Sequence, residues 1–283
     1  MWQDVVDLRD FYSTSLGHVA QRMIRSRLRE LWPDVAGLSV LGVGYATPYL
    51  RPFREEAQRI ITVMPAQMGV VAWPPDGLNV ACIAHESELP LPDLSIDRIV
   101  MVHGLECTEQ LQSFLREVWR VMAEGGRMLI VVPNRRGIWA RADHTPFGHG
   151  LPYSMDQLNR ILRGAMFMPV RSMRALFVPP SRRRFVLRTA PAWEKAGRRW
   201  FQPLGGVAIV ETSKQIYAAA PAAERVRRRV LLPIRAAAGR AESRLTRARE
   251  ETPPAAPASS SASSRRENDA PDPPYPPRTL PAR

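Results

Sequence analysis

ELPLPDLSIDRIVMVHGLECTEQLQSFLREVWRVMAEGGRMLIVVP, residues Glu88–Pro133, reads as loop, strand, helix, glycine turn and strand. Ile99 to Val102 is a short apolar run led by Asp97, suited to a strand buried on both faces. From Thr108 or Glu109 onward, Leu111, Phe114, Leu115, Val118, Trp119 and Met122 recur at helical spacing. Gly125-Gly126 is placed to stop that helix with a left-handed cap. Met128 to Val132 then supplies a second apolar strand. Two buried strands joined by a crossover helix make a βαβ unit, and its right-handed crossover implies a parallel sheet.

Within this stretch LPLPDLSID (Leu89–Asp97) and EVWRVMAEGG (Glu117–Gly126) follow one another at a set distance. Their order and spacing resemble the second half of a class I S-adenosylmethionine (SAM)-dependent methyltransferase, of the methyltransferase type 11 kind. In that family an LP-x-P-D-x-S-x-D segment leads into the fourth strand, and an E-x-x-R-V-L-x-P-G-G segment joins the next helix to the fifth. The resemblance implies a three-layer, doubly wound α/β fold. Its sheet has seven mainly parallel strands, and the seventh runs antiparallel beside the sixth.

The remaining strands are expected at Leu38–Val43, Arg59–Val63, Val80–Ala84, Val170–Val178 and Val207–Ile216, with one helical pattern over residues 2–32 before the first. A helix opening at Ser154 and a short one over Trp193–Trp200 complete the core. The turn after strand one is GVGYATPYL. In a nucleotide-binding α/β fold this turn brings backbone N–H groups close to the ligand, which calls for glycine. The resemblance implies an acid followed by G-x-G-x-G here. Gly42 stands at the acid, Gly44, Ala46 and Pro48 at the three glycines, and Tyr45 lies between. Strand two ends in Met64-Pro65, where the family has a carboxylate for the ribose hydroxyls. His85 or Glu86 stands where the family places an acid near the adenine amino group, and Glu86 is preferred because it can accept that hydrogen bond. His103, at the carboxyl end of strand four, stands where an acceptor meets the sulfonium. The resemblance therefore implies Gly42, Gly44, Tyr45, Ala46, Met64, Glu86 and His103 as cofactor-contacting residues. Phe11 and Tyr12 either line that cleft or pack on the sheet edge. Glu106, close to His103, is a further candidate.

Asn134–Tyr153 is a long connection rich in Gly, Pro, His and aromatic residues. Connections of that length are functional lids or disordered, and Trp139, Phe147 and Tyr153 argue against disorder. It is either a lid over the acceptor site, with His144 and His149 beside His103 as candidate bases, or a clamp on the sheet. Asp143, His144 and His149 match no standard metal spacing, so no metal is expected.

The chain has 283 residues, 45% of them apolar, and a formal net charge of +13. That is room for one sizeable domain, residues 1–220, whose first 35 residues form a helical cap. From Pro221 the composition changes. An Ala/Arg-rich helical pattern runs to residue 250 and a Pro/Ser-rich tail over 251–283, with thirteen positive and seven negative side chains. This region permits a weak anionic partner, RNA or a membrane surface, and the tail reads as disordered. No run approaches the ~18 apolar residues of a membrane helix. The N-terminus lacks the apolar segment of a signal peptide, and Cys82 and Cys107 match no disulfide or metal pattern, so a cytoplasmic protein is expected. The function these features imply is methyl transfer from SAM to a small or medium-sized acceptor. An inactive methyltransferase-like binding or regulatory module and an RNA-directed enzyme are the rival readings. No N-P-P-Y type motif follows strand four, which argues against nucleobase and glutamine N-methylation.

Overall fold

In a computed structural model of the chain, residues 3–215 are described. The strands are β1 (Ser39–Gly44), β2 (Arg59–Pro65), β3 (Ala81–Ala84), β4 (Ile96–Val102), β5 (Met122–Pro133), β6 (Phe167–Ala175) and β7 (Val207–Lys214). They form one sheet in the order β3-β2-β1-β4-β5-β7-β6. The first five pair in parallel, and β7 inserts antiparallel to both β5 and β6. The helices are α1 (Val5–Ser13), α2 (Ser15–Leu31), α3 (Thr47–Leu50), α4 (Leu111–Val121), α5 (Met155–Gly164), α6 (Arg184–Arg188) and α7 (Ala190–Trp200). The Ala/Arg-rich pattern and the tail lie outside the described residues.

Alternation along the central strands builds the three layers. Val40, Val100, Val102, Leu129 and Val131 face a core shared with α1, α2 and α3. Leu41, Val43, Ile99, Met101, Met128, Ile130 and Val132 face the opposite core with α4 and α5.

The two segments that carry the family resemblance prove to be one structural joint. Glu117 accepts from the backbone N–H of Leu89 at 3.0 Å. Arg120 donates to the carbonyls of Leu89 and Leu91, both at 2.9 Å, and to Asp93 and Glu117. Asp97 accepts from Ser39 N–H at 2.9 Å and so ties β4 to the start of β1.

Three local expectations are corrected, and one with two readings is decided. The pattern over residues 2–32 is two helices. Thr14 is extended, its hydroxyl accepts from Gly17 N–H at 3.0 Å, and it caps α2. The helix α4 ends at Val121, and β5 begins at once with Met122. Gly125 (φ 72°) therefore turns the start of β5 and does not cap α4. The sixth strand lies three residues earlier than its apolar run suggests. Asn134–Tyr153 is bridged to itself at both ends and anchored by buried Trp139 and Phe147. The Trp139 Nε1 donates to Val178 O at 2.7 Å. The segment clamps the sheet, as the second of its two readings has it.

Candidate active site

The site is built where β1 and β4 end side by side. Gly44 has φ 75°, and a Cβ there would stand 2.3 Å from the carbonyl oxygen of Val102. The turn after β1 thus lies flush against the end of β4, a closeness only glycine allows. The next residue on β4's side, His103, has φ 52° and is fully buried. A non-glycine residue held in the left-handed region is a cost that surrounding packing must fix, and such residues cluster at functional sites.

The His103 ring is held from both edges. Its Nδ1 lies 3.2 Å from the buried carboxylate of Glu106. Its Nε2 lies 2.8 Å from the Tyr12 hydroxyl, which is 2.7 Å from the Tyr49 hydroxyl. Taking the Glu106 carboxyl oxygen as the acceptor assigns the proton to Nδ1 and leaves Nε2 to accept from Tyr12. The other oxygen of Glu106 has no partner among the described residues. Burial, with the neighbouring Tyr49 next, pushes the Tyr12 hydroxyl well above its ordinary value. Burial likewise raises Tyr49. Both remain neutral hydroxyls near neutral pH. Aromatic rings enclose the group: Tyr12 stacks on Tyr45 with centroids 5.6 Å apart, and Phe147 lies 5.0 Å from the His103 ring.

The residues named from the sequence are placed as follows. Gly42, Gly44, Ala46, Met64, Glu86 and His103 gather under the carboxyl edge of the sheet, but they are packed. A Cβ on Gly42 would meet Leu50 Cδ1 at 2.5 Å, so an acid has no room there. Met64 is fully buried in the core shared with Tyr45, Ala46 and Tyr49. The Glu86 carboxylate accepts from Thr108 Oγ1 at 2.5 Å and from Gln110 N–H at 3.2 Å, ordering the approach to α4. As packed, this set does not fit an adenosyl group. His144 and His149 are not brought to His103. They line a separate cavity of about 480 Å³ with Asp4, Asp7, Phe11 and Asp143, and their Nε2 atoms meet the carbonyls of Pro180 and Asp143.

Open space adjoins the packed set on the other side of α1. A cavity of about 490 Å³ is lined by Tyr12, Tyr45, Thr47, three arginines and the 73–76 loop, among others. Of the sequence-named cofactor residues only Tyr45 reaches it. Tyr49, Arg51 and Trp73 escaped the sequence reading because no periodicity or motif marks them. Glu106 had one signal, its position three residues after His103.

Residues 39–130 match the family model described as a methyltransferase domain. The matched span opens at β1 and closes within β5, so it takes in the turn at Gly44, His103 and Glu106. Two proteins from strains of Mycobacterium tuberculosis, each described as a probable S-adenosylmethionine-dependent methyltransferase, are 34% identical to it over 99 residues. The alignment covers 34% of this chain and 35% of theirs, so the chain spans about a third of the length of these relatives. Among solved structures, a SAM-dependent methyltransferase of Thermotoga maritima, described as a possible histamine N-methyltransferase, superposes with a TM-score of 0.56. It is 17% identical and covers 75% of this chain and 96% of that one, a likeness of fold.

Proposed function

We propose that the protein transfers a methyl group from SAM to a small acceptor, and that Tyr12, His103 and Glu106 handle the acceptor's proton. The match to the methyltransferase domain model and the description of the Mycobacterium tuberculosis relatives support the reaction class. The observation that carries the role of these residues is the continuous hydrogen-bonded path from the buried Glu106 carboxylate through His103 to Tyr12. The Tyr12 side chain also lines the 490 Å³ cavity. An acceptor hydroxyl or amine beside Tyr12 gives its proton to the phenol oxygen as that oxygen passes its own to His103 Nε2. The imidazolium so formed is stabilised by Glu106. SAM, when bound, supplies a methyl group on a good leaving group, so positioning and exclusion of water carry most of the acceleration.

In the packed arrangement, Tyr12 stands over the turn at Gly44. Admission of the cofactor therefore requires the Tyr12 ring to slide off Tyr45 while its hydroxyl stays on His103 Nε2. Calorimetric titration of the full chain and of Tyr12→Ala with SAM and its demethylated product tests this. The expected result is binding by both, tighter in the variant because the ring no longer competes. Absence of binding by both proteins at millimolar cofactor would end the enzyme reading.

A further inference from the structure

The lining of the 490 Å³ cavity is electrostatically lopsided. It presents the guanidinium groups of Arg9, Arg51 and Arg54 against one carboxylate, Asp76. Arg54 takes that carboxylate at 2.8 Å. Among the described residues Arg9 pairs with its exposed neighbour Asp10 alone. Among the described residues the Arg51 guanidinium has no hydrogen-bond or salt-bridge partner. Behind the wall, Arg25 donates to the carbonyl of Pro48, and its Nε is buried without a partner among the described residues. Burial, and after it the like charge of Arg51, lower the pKa of Arg25. Positive charge is thus concentrated beyond what the fold's own carboxylates neutralise. The hydroxyls of Tyr45 and Thr47 and the indole of Trp73 share the same wall. The volume suits a small molecule.

We infer that this cavity binds a methyl acceptor bearing an oxyanion, phosphate or carboxylate, on a flat apolar body. Arg51 and Arg9 hold the oxyanion, and Trp73 holds the body beside the Tyr12 hydroxyl. Guanidinium forks match both oxyanions in geometry. As the identity of the acceptor this rests on the methyl-transfer reading; as a binding site it does not, and the two fail separately.

The test is calorimetry on the full chain with phenyl phosphate, benzoate and the neutral benzyl alcohol, then with L-methionine and adenosine. Phenyl phosphate or benzoate is expected to bind, and which of them binds identifies the oxyanion. Benzyl alcohol is expected to show no heat. Arg51→Gln should weaken binding about tenfold or more at an unchanged melting temperature. Arg9→Gln should weaken it less, since Asp10 shares that group. The inference is overturned if no oxyanion probe binds at millimolar concentration, if benzyl alcohol binds as tightly, or if neither arginine variant changes affinity. Arginine-dependent binding of L-methionine alone would also overturn it, giving the guanidinium cluster to the cofactor's own carboxylate. Arginine-dependent binding of the aromatic anions without methyl transfer to their 4-hydroxy derivatives would leave the site standing and count against the reaction.

Discussion

At the scale of single residues, two substitutions separate chemistry from architecture. Tyr12→Phe keeps the ring that stacks on Tyr45 and removes the proton donor to His103 Nε2. The fold should persist with a loss of about 1–2 kcal/mol, because a buried acceptor is left unpaired. Methyl transfer should fall about 10²-fold, the scale of a lost proton-transfer group. Thermal melting and steady-state rates on the same preparation check both. Gly44→Ala tests the opposite. Its Cβ would collide with backbone, the Val102 carbonyl at 2.3 Å, at a φ of 75°. The cost should exceed about 1 kcal/mol and appear as a lower melting temperature whatever the ligand.

At the scale of elements, an ion cluster joins the C-terminal end of α2 to the far half of the sheet. Glu211, fully buried on β7, accepts from Trp32 Nε1 at 3.0 Å, Arg127 at 3.1 Å and Arg171 at 2.6 Å. Arg171 also donates to Leu31 O. Burial alone would raise this carboxyl, but the hydrogen bonds from Arg171, Trp32 and Arg127 outweigh it and hold it below its ordinary value. Because the folded value lies below the unfolded one, its stabilisation is whole above the ordinary carboxylate range. It is lost as pH falls through the depressed folded value. Glu211→Gln should therefore cost about 2–3 kcal/mol at neutral pH. The gap in melting temperature between the two proteins should close in acid.

The same scale shows what the sequence makes legible. The fold is readable because its defining residues are local or evenly spaced. Glu117 and Arg120 clamp a loop about thirty residues away in a fixed motif, and alternation in β4 and β5 reports two buried faces. The site is not readable in the same way. Tyr12 and His103 lie 91 positions apart and meet only because α1 crosses the sheet edge. The usual acids are replaced by Gly42 and Met64, whose burial no spacing rule announces. His144 and His149 look like partners of His103 by type, yet Trp139 and Phe147 pin their segment so that they serve another cavity.

For the whole molecule, the strand order carries a consequence for synthesis. The last described strand, β7, occupies the interior of the sheet, hydrogen-bonded to β5 on one side and β6 on the other. A nascent chain that has emerged only as far as Gly206 holds both neighbours with bare edges and Val131, Ile130 and Leu129 unpartnered. Residues 1–206 expressed alone should self-associate, and size-exclusion chromatography should show aggregates where residues 1–220 give a discrete species. On the ribosome, the sheet cannot close until Lys214 has left the exit tunnel. The protein must therefore keep its five-stranded sheet and lone β6 apart from other chains while it waits for one final insertion.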